Sequence, residues 1–192
     1  MNAQLNELLR LITNLIRTGI ISEVDTDNWL CRVKVGELET HWINWLTFRA
    51  GKTRSWWCPS VGEQVVLLSL GGNLDTAFAL PAIYSNQFPP PSNSLTAEVI
   101  EYDDGALFSY DPATGQLQVT GIKSLLVEAS VSATYKTPQF HVEAEQTRIN
   151  SDVVINGAVT QGGGAMSSNG VIVDKHQHSA VKSGGDLSGG PV

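Results

Sequence analysis

Two observations predict an all-β chain. Short apolar runs separated by turn formers fill residues 20 to about 85, and a narrower repeat of apolar triplets runs from 117 to 155. A third observation, an amphipathic stretch at the start, adds one short helix to that plan. At 192 residues the chain suits one compact unit followed by something less globular, since ~100 to 150 residues already close a sound core.

The opening "MNAQLNELLRLITNLIRTG" sets Leu5, Leu8, Leu9, Ile12, Leu15 and Ile16 at helical spacing, with Gly19 as the expected stop, so a helix is expected over 1–19. So strong an apolar stripe has to be covered, either by the chain's own core or by a subunit or partner.

The segments "IISEVD", "WLCRVKVG", "LETHWINWL", "EQVVLLSL" and "TAFALPAIY" read as antiparallel strands, separated by "DTDN", "GGN" and "PS". Five such strands in ~65 residues predict a small closed barrel over 20–88, with the OB-fold as the leading form. All five tryptophans (29, 42, 45, 56 and 57) fall in this region. OB-folds often bind oligonucleotides or sugars, but a net charge of −7 offers no basic footprint for nucleic acid. The tryptophans are therefore expected in core and subunit packing. Cys31 and Cys58 sit in apolar or aromatic settings and read as free thiols.

"NQFPPPSNS" marks a boundary, because three consecutive prolines favour a stiff extended connection; the linker is placed at 89–100. In "DDGALFSYDPATGQLQVTG" two short strands flank the turn "DPATG". The triplets then begin at 117, 125, 133, 140, 147 and 153, a spacing of 8, 8, 7, 7 and 6 residues. Rungs this narrow leave strand edges open in a single chain, and three chains wound about one axis close them. A triple-stranded β-helix in a homotrimer is expected over 101–174. The glycines of "TQGGGAMSSNG" suit either a narrowing shaft or a flexible linker.

His176 and His178 stand in "KHQHSAVKSGGDLSGGPV", within a terminal segment placed at 175–192. In an extended chain i and i+2 share a side, so three chains would bring six imidazoles to one axis. Six imidazoles favour an octahedral ion, iron first and nickel second, because structural zinc is four-coordinate. The same pair taken alone fits a solvated polar tail; its place at the end of a trimeric β-helix favours the metal. His41 and His141 have no partner by sequence and read as structural.

The paired carboxylates of "EYDDG" and "EAEQ" read as solvated edges, and no nucleophile elbow, phosphate loop or zinc-protease motif occurs. No enzyme and no small-molecule substrate are expected. The first 17 residues lack a basic start and a cleavage site, so no signal peptide is read, and no stretch suits a spanning helix.

Three stretches, "VGEQVVLLSLGGNLDTAFALPAIYS", "DGALFSYDPATGQLQV" and "HQH", in that order and with the rungs between, resemble the baseplate assembly protein V family, the central spike of contractile phage tails and R-type pyocins. The resemblance implies a homotrimer made in the bacterial cytoplasm, attached through its N-terminal region to the tail hub and other baseplate proteins, and acting on the target's outer membrane. It implies a buried apical iron held by His176 and His178 of each chain, with axial chloride or calcium at unassigned residues. Some spike relatives carry a lysozyme domain between barrel and shaft; this chain has only the proline linker there. The rival readings are a trimeric receptor-binding fibre or tailspike recognising surface polysaccharide, and a metalloprotein using the histidines catalytically.

Overall fold

The computed structural model describes residues 2–173; the histidine pair at 176 and 178 lies outside them. Helix α1 runs Asn2–Asn14 and is followed by strand β1, Ile16–Asp25. The helix thus stops before Gly19, and the reason is the next strand. Gly19 lies inside β1, where a Cβ would stand 2.5 Å from Val33 Cγ1 and 2.8 Å from the Lys34 carbonyl oxygen. The glycine is there for a close approach within a sheet, not as a helix stop.

The other barrel strands are β2 (Leu30–Val35), β3 (Leu38–Glu39), β4 (Ile43–Trp45), β5 (Gln64–Ser69) and β6 (Ala77–Ile83). Around the ring β1 pairs with β5, β5 with β6, β6 with β4, β4 with β2, and β2 returns to β1; β3 extends β2 at the side. This is a closed five-stranded barrel of OB type. One pairing departs from the all-antiparallel expectation: β4 and β6 run parallel, with Asn44 opposite Phe78 and Trp45 opposite Ala79. Strand direction depends on the path of the long β4–β5 connection, which local alternation does not encode.

Period-2 alternation fills the interior. Cys31, Val33 and Val35 of β2 and Val65 and Leu67 of β5 point inward and join Ile21, Ile43, Ala77 and Ala79 in one core. The two alanines suit the narrow interior of a small barrel. Thr40 is buried with them, its Oγ1 accepting the Val33 N–H at 3.0 Å. Of the five tryptophans, Trp45 packs against this core, while Trp29, Trp42, Trp56 and Trp57 are exposed in the single chain, which leaves subunit packing as the expectation that applies to them. Trp42 and Trp29 lie in the stretches between strands, and Trp56 and Trp57 belong to the β4–β5 connection, so barrel alternation never turns them inward.

Both cysteines are free, Cys31 fully buried and Cys58 partly so. Burial, helped by the neighbouring Cys58, pushes the Cys31 thiol from its ordinary 9.0 up to about 11. The folded state therefore keeps its proton where the unfolded chain has lost it. This contribution to stability is complete below pH 9 and falls away as pH rises towards 11. Denaturant midpoints of wild type and Cys31→Ala, followed across that range, should show the wild-type advantage shrinking.

Helix α1 rests on the barrel at its C-terminal end. Asn14 is buried and its Oδ1 accepts from Arg17 Nη1 at 3.2 Å. At Gly72, with φ +75, a side chain would overlap the Leu11 carbonyl, so only glycine lets the helix backbone lie there. Leu5, Leu8, Leu9 and Ile12 remain exposed, so the stripe is not covered by the chain's own core.

The chain divides into two units, Met1–Glu128 and Ala129–Val192. The division falls inside the span expected as shaft, because residues beyond the prolines pack back on the barrel: Trp57 stacks on Tyr102 with ring centroids 6.3 Å apart.

Candidate functional site

Beyond the prolines the first unit ends in a three-stranded meander of β7 (Glu98–Glu101), β8 (Leu107–Asp111) and β9 (Gln116–Thr120). The β8–β9 hairpin is the pair expected around "DPATG". Asp111 Oδ1 accepts the Ala113 N–H at 2.9 Å, its carbonyl accepts that of Gly115 at 2.8 Å, and Gly115 takes φ +67. Strand β7 lies partly in the span expected as linker, and Leu117 to Val119, expected as the first rung, pair within this sheet as part of β9.

The register puts Ile100, Phe108 and Val119 in one row and Glu98, Tyr110 and Leu117 in the next. One face of the meander is thus apolar, and Phe108, Tyr110, Leu117 and Val119 on it are exposed.

From 121 to 166 the chain has neither helix nor strand, and all its residues except Ile122 are exposed. Among them stand Leu126 at 85 %, Val131 at 92 % and Val154 at 84 % exposure. Their backbone groups have no ladder partner among the described residues, and Tyr135 and Phe140 meet with ring centroids 5.4 Å apart. Covering these Val, Leu and Ile side chains would be favourable.

The described chain closes with a hairpin, β10 (Ser167–Ser168) and β11 (Val171–Ile172), joined by Asn169 and Gly170 at φ 48 and 79. Asn-Gly with both φ positive is the two-residue hairpin turn, a signal present in "SSNG" that the reading of this stretch as a narrowing or a linker passed over. Val173 N–H donates to the Met166 carbonyl at 2.8 Å and ends the hairpin just before the histidine segment.

Of the histidines, His41 lies 3.7 Å from Asp75 Oδ1 on the surface and His141 is exposed in the second unit. No group of three or more His, Cys, Asp or Glu side chains able to hold a metal occurs among the described residues. His176 and His178 lie beyond them. No helix among the described residues is long and apolar enough to cross a membrane.

A cleft of about 550 Å³ opens on the barrel, lined mainly by Leu46, Phe48, Trp57, Leu80, Tyr84 and Phe88. Its two carboxylates are Glu63 and Glu101, and the first is held by the backbone, accepting Ser60 N–H at 2.9 Å and Ala82 N–H at 3.3 Å. The sequence reading missed this cleft, because its aromatic residues come from separate loops.

Comparison with known proteins gives two results. The family described as the type VI secretion system/phage-baseplate injector OB domain matches residues 17–84, which is the barrel. The spike protein of Escherichia phage P2 is 42 % identical over 210 aligned residues, covering 99 % of this chain and 98 % of that protein. The likeness therefore runs through barrel, meander and exposed segment alike, and on it the chain belongs to the phage-baseplate spike family.

Proposed function

We propose that the protein is the central spike of a contractile tail, a homotrimer that pierces the target cell's outer membrane mechanically. The observation that carries this is the segment 121–166, which exposes its apolar side chains and forms no strand ladder with the described residues, in a protein similar along its whole length to a phage spike. Three copies wound together satisfy those backbone groups and cover those side chains, and the resulting triple-stranded β-helix resists bending because each backbone bond is braced by its neighbours. A virion tail component with baseplate partners at its barrel end follows from the same family. The function is structural, with no enzymatic step.

At the chain end, His176 and His178 from each of three copies would hold an iron ion, and the donor set fits, since neutral imidazole is a good ligand for iron. When bound, the metal supplies a cross-link between chain ends, because metal-binding free energy becomes folding free energy. The resemblance implies a lysozyme domain between barrel and shaft in some spike relatives, where this chain has its proline segment, so on this reading force does the work of penetration.

His176→Ala/His178→Ala is expected to remove the iron, leave the barrel's tryptophan fluorescence unchanged, and give tail particles whose sheaths contract normally but depolarise target cells poorly. Iron retained by the double variant overturns the assignment of these ligands. Loss of attachment to cells, rather than of penetration, would favour a receptor-binding fibre instead.

A further inference from the structure

Charge is segregated along the chain. Residues 40–62 hold Arg49, Lys52 and Arg54 and no carboxylate, whereas 55–122 hold seven carboxylates and no Lys or Arg. The three cations sit on the connection between β4 and β5, which is folded on itself. Thr47 Oγ1 and Ser55 Oγ lie 2.8 Å apart, Ser55 N–H donates to the Arg49 carbonyl at 2.9 Å, and Ala50 bridges Arg54 antiparallel. The hairpin so formed exposes all three, beside Phe48 at 89 % exposure. Elsewhere Arg10 and Arg32 are ion-paired, but none of Arg49, Lys52 and Arg54 is paired among the described residues.

The complementary charge is equally unmet. Glu101, Asp103 and Asp104 are exposed at the β7–β8 turn, without an ion pair among the described residues, and the turn is fixed by Ala106 N–H donating to Asp104 Oδ1 at 3.0 Å. Among the described residues no ion pair joins the three cations of the hairpin to the three carboxylates of the turn, although Phe48 beside the hairpin and Glu101 line one cleft.

We infer that the Arg49–Arg54 hairpin of one copy docks on the Glu101–Asp104 turn of the next, closing a charged ring around the barrel end of the trimer. This rests on the homotrimer proposed above. The contact is heterologous, each copy giving its hairpin to one neighbour and its turn to the other, and such a contact closes when the rotation returns to the start. Complementary potentials fix register and speed encounter more than they add affinity, so the ring would align three barrels before the shaft winds.

The test uses the full chain, co-folded from unlabelled and ¹⁵N-labelled copies and treated with a water-soluble carbodiimide. The reagent takes up the water lost as Lys52 Nζ forms an amide with a carboxyl group. The expected product is a peptide pair of mixed isotope joining Lys52 to Glu101, Asp103 or Asp104, diminished in about 1 M salt. Trimers that give only same-isotope pairs, or none, overturn the ring and leave the spike trimer standing. Single chains overturn the trimer and the ring with it.

Discussion

Val153→Asp/Ile155→Asp is expected to return the assembly to single chains while leaving the barrel folded. The triplets "FHV" and "TRI" place a polar residue between their ends, so i and i+2 form the face that the proposed trimer would turn inward. By that pattern Val153 and Ile155 share the inward face of "VVI", and both are exposed in the lone chain. A buried unpaired carboxylate costs several kcal/mol, and two from each of three chains exceed the ~5 to 15 kcal/mol by which a domain is stable. Sedimentation velocity would show the loss of the trimer. Because all five tryptophans lie between 29 and 57, their unfolding transition reports the first unit, and it should be kept. A variant that remains trimeric would place these residues outside the interface.

Leu67→Ala is expected to destabilise the barrel by about 2–5 kcal/mol, as the loss of a fully buried leucine does where the surroundings cannot collapse. Leu67 has no exposed surface and lies on β5, which is paired on both sides by β1 and β6, so neither neighbour can move inward freely. For a barrel of this size the thermal midpoint should fall by on the order of 10 °C or more. A calorimetric scan should show this loss in the barrel's transition; an unchanged midpoint would place Leu67 outside the barrel core.

The barrel was legible in the sequence where alternation and turn formers agree. Strands β2 and β5 follow a strict in-out pattern, and Cys31, Val33, Val65 and Leu67 fell where that pattern puts them. Features set by distant residues were not legible. Gly19 looks like a helix stop because the Val33 side chain that requires it is fourteen positions away. The parallel pairing of β4 with β6 depends on a connection that leaves the barrel, folds on itself and returns. Strand β7 was read as part of the linker because Pro91 and the serines near it mask a four-residue strand whose ends are glutamates. The triplet repeat was plain in the sequence, but local pattern cannot say what it pairs with, and under the proposed trimer its partners are copies of the chain. The histidine pair stands at the far end of that logic, on residues beyond those described.

The most direct test of the spike is the native mass of tag-free protein, with elemental analysis of the same sample. The expected mass is that of three chains and one iron. A monomer, or a trimer free of iron, would contradict it.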